Sequence, residues 1–400
     1  MAKQYPFGAW VYKRFTEEDF TPADVEAWHE CGFNVIHSGL SRFCEEDWDI
    51  QEKFLDKAQE YGMKLIICMD GISYYGCTEA NYETMKANFR KVYERFKGHP
   101  ALYGFHAGDE PSTKEALENT IRCVKLQKEV APELHPYINF SGGTPDSDIW
   151  GEGGIKAWMK RLKAETGCRE VCFDVYSQAI NSGGVTAYFH SIKAFVEAAE
   201  EAGLDLWVTP ICSAHMAYRP LTEFQLLWQI TTAAALGVKG ITWFRLYDRN
   251  FLANFHDSPI DEFGNKTLTF YRLLRSQRRF QQQFGELIMG LKRKESWLVG
   301  FQRMSLPMFG ENSHELIKEI KTFEETLVSI FEDENGKEYL CIVNAEMEKL
   351  NNVRIKYDGT KCELKEVLLN GKIERPIDIE DGEGAILYPG LMCMYRIDRK

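Results

Sequence analysis

Residues 7–15 read Phe7-Gly8-Ala9-Trp10-Val11-Tyr12-Lys13-Arg14-Phe15. The first six are small, aromatic or β-branched, which is the composition of a buried strand. The residues after that strand separate two α/β folds. An open doubly wound sheet places a glycine-rich phosphate turn directly after its first strand. This chain has Lys13-Arg14-Phe15 there, so the reading turns to a closed parallel barrel.

The rest of the chain repeats the unit often enough to close one. Apolar runs at 7–12, 34–37, 64–69, 101–106, 136–140, 171–176, 206–211 and 240–246 recur at roughly the spacing of βα units. Amphipathic stretches lie between them. Thr21-Pro22 puts a cap residue before a proline suited to the first helical position. Ser112 and Glu115 have capping-box spacing. Gly32, Gly62, Gly203 and Gly237 stand where helices stop ahead of strands. Eight such units predict an α/β fold, a (β/α)8 TIM barrel over 1–290. From 295 to 400 the period changes to alternation at 327–331, 339–343, 353–357, 363–369 and 392–397. Hairpin signals stand at Asp333-Glu334-Asn335-Gly336 and Asn370-Gly371. That predicts a small antiparallel β-sandwich, packed rigidly because no Pro-, Gly- or Ser-rich linker precedes it.

Forty-eight Lys and Arg against 60 Asp and Glu leave a net charge of -12, a poor field for binding nucleic acid. No apolar run is long enough to span a bilayer, and Met1 to Pro6 lacks the apolar segment of a signal peptide. Eleven scattered cysteines, with no CxxC pair, read as free thiols in a reducing compartment. The expected location is the cytoplasm, with a trimmed secreted chain as the alternative.

A barrel carries its chemistry at the C-terminal ends of its strands. That rule selects Trp10, His37, Asp70, His106, Asp109, Glu110, Asn139, Asp174, Tyr176, Gln178, His215, Trp243, Arg245, Tyr247 and Asp248. The sharpest feature is Asp109-Glu110-Pro111. Two carboxylates at a strand end are costly to bury unless used or paired, although Asp-Glu before Pro-Ser is also ordinary helix-start grammar. No phosphate cradle, GxSxG elbow or HExxH is present, and no cofactor or metal is expected.

Tyr103-Gly104-Phe105-His106-Ala107-Gly108-Asp109-Glu110-Pro111 resembles the strand-four Asn-Glu-Pro motif of clan A glycoside hydrolases, including the β-galactosidase-like barrels. Phe173-Asp174-Val175-Tyr176 is similar to their Asp-x-Tyr strand. Leu236-Gly237-Val238-Lys239-Gly240-Ile241-Thr242-Trp243-Phe244 is similar to their last strand, which often carries an active-site Trp. The resemblance implies Glu110 as general acid/base and Trp243 as a sugar platform. The chain departs from the pattern twice. Asp109 stands where the clan has Asn, and Leu206 to His215 carries no Glu at the end of strand seven, where the clan has its nucleophile.

Glycoside cleavage needs a proton donor on the leaving oxygen and a second carboxylate at the ring. The candidates for the second are Asp174, Asp109, Asp70 and Asp248. Asp174 is favoured because its strand is otherwise apolar, and its structural alternative is an ion pair with Arg245. His37, Asp70, His106, Asn139, Tyr176, Gln178, Arg245 and Tyr247 are expected at sugar hydroxyls, and Trp10 and Trp243 as walls. The expected function is hydrolysis of a β-linked oligosaccharide or glycoside. Two alternatives remain: a carbohydrate-binding barrel without catalysis, and a metal-dependent hydrolase using His37, His106 and His215.

Overall fold

The computed structural model describes residues 4–178, 184–249, 255–301, 305–374 and 383–400. Eight parallel strands form one sheet: β1 (Phe7–Ala9), β2 (Val35–Ser41), β3 (Lys64–Met69), β4 (Leu102–Asp109), β5 (Tyr137–Ser141), β6 (Glu170–Asp174), β7 (Asp205–Thr209) and β8 (Gly240–Trp243). Their spatial order follows the chain, with β8 returning to β1. Closure between β1 and β2 is made by single bonds: Asn34 N–H donates to the Phe7 carbonyl at 2.9 Å, and Leu40 N–H to the Lys13 carbonyl at 2.7 Å. The predicted barrel is therefore present and nearly closed.

Helices fill each crossover: α1 (Asp24–Glu30), α2 (Glu45–Glu60), α3 (Tyr82–Phe96), α4 (Lys114–Val130), α5 (Gly154–Thr166), α6 (Gly184–Ala202), α7 (Glu223–Ala235) and α8 (Leu268–Phe280). Two starts differ from expectation. α1 begins at Asp24 rather than at Pro22, and the Asp24 carboxylate reaches back to Thr21 N–H at 2.8 Å. α4 is capped by Thr113, whose hydroxyl accepts from Ala116 N–H, and not by Ser112. Trp28, Trp158 and Trp228 are buried on their helices.

Inward side chains recur at every second strand position, as the pleat dictates. Tyr137, Cys172 and Trp207 pack with Trp10, Val35 and Ile66 in the barrel interior. Two residues further on, Asn139, Asp174 and Thr209 form the next layer up. In the register Asn139 pairs with Cys172, Ser141 with Asp174, and Asp174 with Thr209.

β4 breaks the alternation. His106 pairs with Tyr137, but Gly108 pairs with Ile138 and Asp109 with Asn139, so one extra residue bulges out between them. His106 faces the barrel axis, beside Trp10 and Tyr137. Strict alternation would then turn Asp109 outward, and the bulge turns it back beside Asn139. Gly108 permits this at φ +147, where a Cβ would lie 2.1 Å from the Tyr74 ring. The hydroxyls of Tyr74 and Tyr75 both donate to the Asp109 carbonyl at 2.9 Å and fix the strand end.

The C-terminal region is antiparallel. A six-stranded sheet begins at Lys292–Val299 and includes Thr326–Glu332, Glu338–Asn344 and Met392–Arg399. A three-stranded sheet (Ile317–Lys321, Asn351–Tyr357, Glu383–Leu387) covers one of its faces. Val328, Ile330, Leu340 and Ile342 face that smaller sheet, while Leu327, Phe331, Cys341 and Val343 join the barrel's own core. Both faces are buried, so these strands are nearly unbroken apolar runs rather than the alternation expected from the sequence. The seam to the barrel is close. Trp228 Nε1 on α7 donates to the Ala345 carbonyl at 2.7 Å, and the Thr231 hydroxyl to the Gly390 carbonyl at 2.8 Å. All eleven cysteines are free. Among the described residues no helix is long and apolar enough to cross a membrane.

Candidate active site

The C-terminal ends of the strands open into a cavity of about 580 Å³. Its acids are Asp109 and Glu110 from the end of β4 and Asp174 from the end of β6. Its aromatic walls are Trp10, Tyr12, Tyr176, Tyr218 and Phe244. Thr209, Asn139, Ser141 and His215 supply further polar groups.

Asn139 ties the acids together. Its Nδ2 donates to Asp109 Oδ1 at 2.9 Å and lies 3.5 Å from Asp174 Oδ2. Its Oδ1 accepts from the Thr209 hydroxyl at 3.3 Å, which fixes the amide orientation. Gly142 N–H donates to Asp174 Oδ1 at 3.1 Å. A Cβ at Gly142 would sit 2.0 Å from the Asp174 carbonyl, so only glycine lets the backbone come this close. Glu110 lines the same cavity, near enough for its charge to act on Asp174.

Glu110 is the exposed member of the group. It takes φ +44, a left-handed conformation unusual for a side-chain-bearing residue, and it precedes Pro111. Its N–H donates to the Asn139 carbonyl at 2.9 Å. Tyr12 is also left-handed, at φ +56, and it too lines the cavity. Backbone strain concentrates where side chains must be aimed.

The electrostatics come from burial. Loss of water, and then the neighbouring Glu110 charge, push the Asp174 carboxyl well above the ordinary range. Burial raises Asp109 to about 6, against the stabilising bond from Asn139, and the Glu110 charge adds to the rise. A carboxyl raised in the folded state holds its proton there while the unfolded chain has lost it. Its contribution to stability is therefore complete below about pH 4 and is lost as pH rises through about 6. Replacing Asp109 by Asn is thus expected to stabilise the fold at pH 7 by roughly 2 kcal/mol, with little effect at pH 4. Urea unfolding at the two pH values measures this, and equal shifts at both would contradict it.

Several sequence-selected residues do not line the cavity. Trp243 is fully buried, and its Nε1 donates to Gln277 Oε1 on α8 at 3.1 Å. Alternation on β8 turns it outward and brings the next residue, Phe244, to the wall in its place. Tyr247 bonds Trp28 Nε1 at 2.8 Å and Asp24 at 3.1 Å, so it anchors α1. His37 stacks on Trp10 with centroids 4.3 Å apart and lies in the barrel interior with His106, one layer below the cavity. Burial lowers the pKa of both imidazoles, that of His106 to about 4. Asp70 is exposed outside the cavity, and Asp248 accepts from Ser258 N–H at 3.0 Å. Gln178 is buried, with its Nε2 3.5 Å from Met347 Sδ of the C-terminal domain. Arg245 does not pair with Asp174. Its guanidinium lies over the Tyr12 ring at 4.8 Å and backs that wall.

The metal alternative is not supported by placement. His215 stacks on Phe255 at 4.1 Å, apart from the His37–His106 pair. Among the described residues no group of three or more His, Cys, Asp or Glu is arranged to hold a metal ion. Tyr12, Ser141, Thr209, Tyr218 and Phe244 were not among the sequence-selected residues. For Thr209 and Phe244 the missing signal was the strand phase, which one neighbour of known direction would have supplied.

Trp243→Phe separates a structural role from a sugar-platform role. It leaves Gln277 Oε1 without its donor and opens space in the core. The expected cost is about 2–3 kcal/mol in urea unfolding, with KM for any cleaved glycoside unchanged. A KM raised severalfold at unchanged stability would restore the platform.

No family model matches the chain, and no curated protein matches it in sequence. Solved structures do resemble it in shape. One described as a glycoside hydrolase aligns with 98% of this chain and 92% of its own length, at TM-score 0.61 and 13% identity. The β-galactosidase from the psychrophilic Marinomonas ef1 matches 72% of this chain at TM-score 0.54 and 10% identity. That from Rahnella sp. R3 matches 73% at TM-score 0.56 and 12% identity. The chain covers 62% and 58% of those two β-galactosidases, less than two thirds of either. At these identities the likeness is one of fold, and the chain shares with these structures the (β/α)8 barrel fold, with an antiparallel β-domain behind it.

Proposed function

We propose that the protein is a glycoside hydrolase acting on a β-linked oligosaccharide or glycoside, with Glu110 as the proton donor. The observation that carries this reading is the cluster of Asp109, Glu110 and Asp174 at the mouth of an aromatic-walled cavity. Neighbouring carboxyls cannot all ionise without cost, so the cluster keeps a proton where an isolated surface acid would lose it. Asp174 is held by Gly142 and Asn139, and Glu110, the exposed acid of the cluster, is the one placed to meet a leaving oxygen. Trp10, Tyr176 and Phe244 suit the apolar faces of a pyranose, and Asn139 and Ser141 its hydroxyls.

A second reading has its own observation. β7 ends at Thr209, and no acid in the loop from Pro210 to His215 replaces the absent nucleophile. A sugar-binding barrel without catalysis accounts for that. A panel of 4-nitrophenyl β-glycosides assayed alongside calorimetric sugar binding separates the two. Turnover in the panel supports the hydrolase, whereas saturable binding with no turnover supports the binding barrel.

A further inference from the structure

Arg245 is a buried charge without a counter-charge. It is only 6% exposed, yet among the described residues no carboxylate lies within ion-pair distance of it. Its Nε donates to the Tyr247 carbonyl at 2.8 Å. The guanidinium carbon stands 4.8 Å from the centre of the Tyr12 ring and 5.5 Å from that of Phe255. Its two terminal nitrogens have no hydrogen-bond acceptor among the described residues, and neither is sealed from water. The acids whose fields reach it are committed elsewhere. Asp248 accepts from Ser258 N–H at 3.0 Å, and Glu17 pairs with Lys13 at 3.0 Å. A second cation adds to the excess: Arg249 lies over the Phe255 ring at 5.2 Å, also without an acid partner among the described residues. Burying a charge is costly unless it is paired, and aromatic faces return only part of that cost.

Tyr12 joins this charge to the cavity. It lines the cavity, and its hydroxyl has no hydrogen-bond partner among the described residues. The side of the barrel also matters. Tyr12 follows β1 and Arg245 follows β8, whereas the three acids end β4 and β6. In the strand order of the sheet, β8 and β1 stand across the barrel from β4 and β5. The cavity thus has acids on one side and an unpaired cation behind the other. Burial holds Asp174 toward its neutral form, so the acid side repels an anion less than three carboxyls would in water.

Resting on the hydrolase reading above, we propose that the substrate is an acidic glycoside whose anionic substituent, a C5 carboxylate or a sulfate ester, binds the Arg245 guanidinium and the Tyr12 hydroxyl. The planar guanidinium presents parallel N–H donors that match two oxygens of either group, and the phenol adds a third donor. A neutral sugar would leave the buried guanidinium unpaired, so discrimination comes from the site's own unmet charge.

The test uses the whole protein and matched 4-nitrophenyl β-glycosides: glucoside with glucuronide, galactoside with galacturonide, and each neutral member with its 6-sulfate. The expected kcat/KM is at least ~30-fold higher for an acidic member than for its neutral partner. Preference for the hexuronide or for the 6-sulfate identifies which anion the site takes. Arg245→Gln is expected to lower the acidic-to-neutral ratio by about 30-fold, chiefly through KM of the acidic member, and Arg245→Lys to recover part of it. A variant that merely loosened the fold would slow both members alike, and an unchanged ratio in Arg245→Gln overturns the inference. Equal or faster cleavage of the neutral members by the wild type also overturns it and leaves Glu110 as acid intact. If no glycoside is cleaved, the hydrolase reading fails, and calorimetric titration with glucuronate, glucose 6-sulfate and glucose decides the anion site by itself. Tighter binding of an acidic sugar, lost in Arg245→Gln, supports it, and no preference overturns it as well.

Discussion

Glu110→Gln is expected to lower kcat by about a thousandfold on glycosides whose leaving group is an alcohol or a second sugar. The substitution keeps the shape of the side chain and removes its transferable proton. Position 110 is exposed and its backbone bond to the Asn139 carbonyl is untouched, while loss of its charge relieves the buried Asp174 and Asp109 carboxyls. Circular dichroism should match the wild type, and the thermal midpoint should not fall below it. The loss should also depend on the leaving group. A 2,4-dinitrophenyl glycoside departs as a stable anion and needs no proton, so its bond-breaking step should be slowed by less than about tenfold. A uniform loss across leaving groups would assign Glu110 to binding rather than to proton donation.

Asp174→Ala should act on activity and stability together. It removes the buried acid beside Glu110 in the cavity, and the expected loss in kcat is about a hundredfold. It also leaves Gly142 N–H without its acceptor and strips one acceptor from Asn139. Unpaired groups in a largely buried place cost about 1–3 kcal/mol, which urea unfolding resolves. Asp174→Asn should recover most of that stability while leaving kcat low, because an amide can bond its neighbours but has no carboxylate charge or acidic proton. Recovery of both in the Asn variant would make Asp174 a structural group only.

Much of the barrel was legible because its signals are local. Gly62, Gly203 and Gly237 do stop helices in left-handed conformations, and the run at 64–69 coincides with its strand. Trp10, Asn139, Asp174 and Tyr176 were placed at the cavity because each follows an apolar run by the right interval. Two kinds of fact were hidden. The first is strand phase: Trp243 and Phe244 are neighbours on one strand end, and only the helix layer, through Gln277, shows which one faces out. The second is the bulge in β4, without which His106 and Asp109 could not both face inward. It depends on Gly108 yielding to the Tyr74 ring, a contact between residues far apart in the chain.

The C-terminal domain repeats the lesson. Lys292–Val299 begins with four consecutive charged residues, and alternation appears only at Ser296-Trp297-Leu298. Its charged half is largely exposed, so the apolar signal of a strand was absent where the strand begins. Ile317–Lys321 is masked in a similar way, by a register shift between Ile317 and Glu319.

The central claim is that a glycosidic oxygen sits against Glu110 in this cavity. A crystal structure of the Glu110→Gln protein soaked with an intact β-glycoside tests it directly. The account predicts the sugar between Trp10, Tyr176 and Phe244, with the glycosidic oxygen within hydrogen-bond distance of the side chain at position 110. A sugar bound elsewhere on the molecule, or bound in the cavity with its glycosidic oxygen turned away from that side chain, would contradict it.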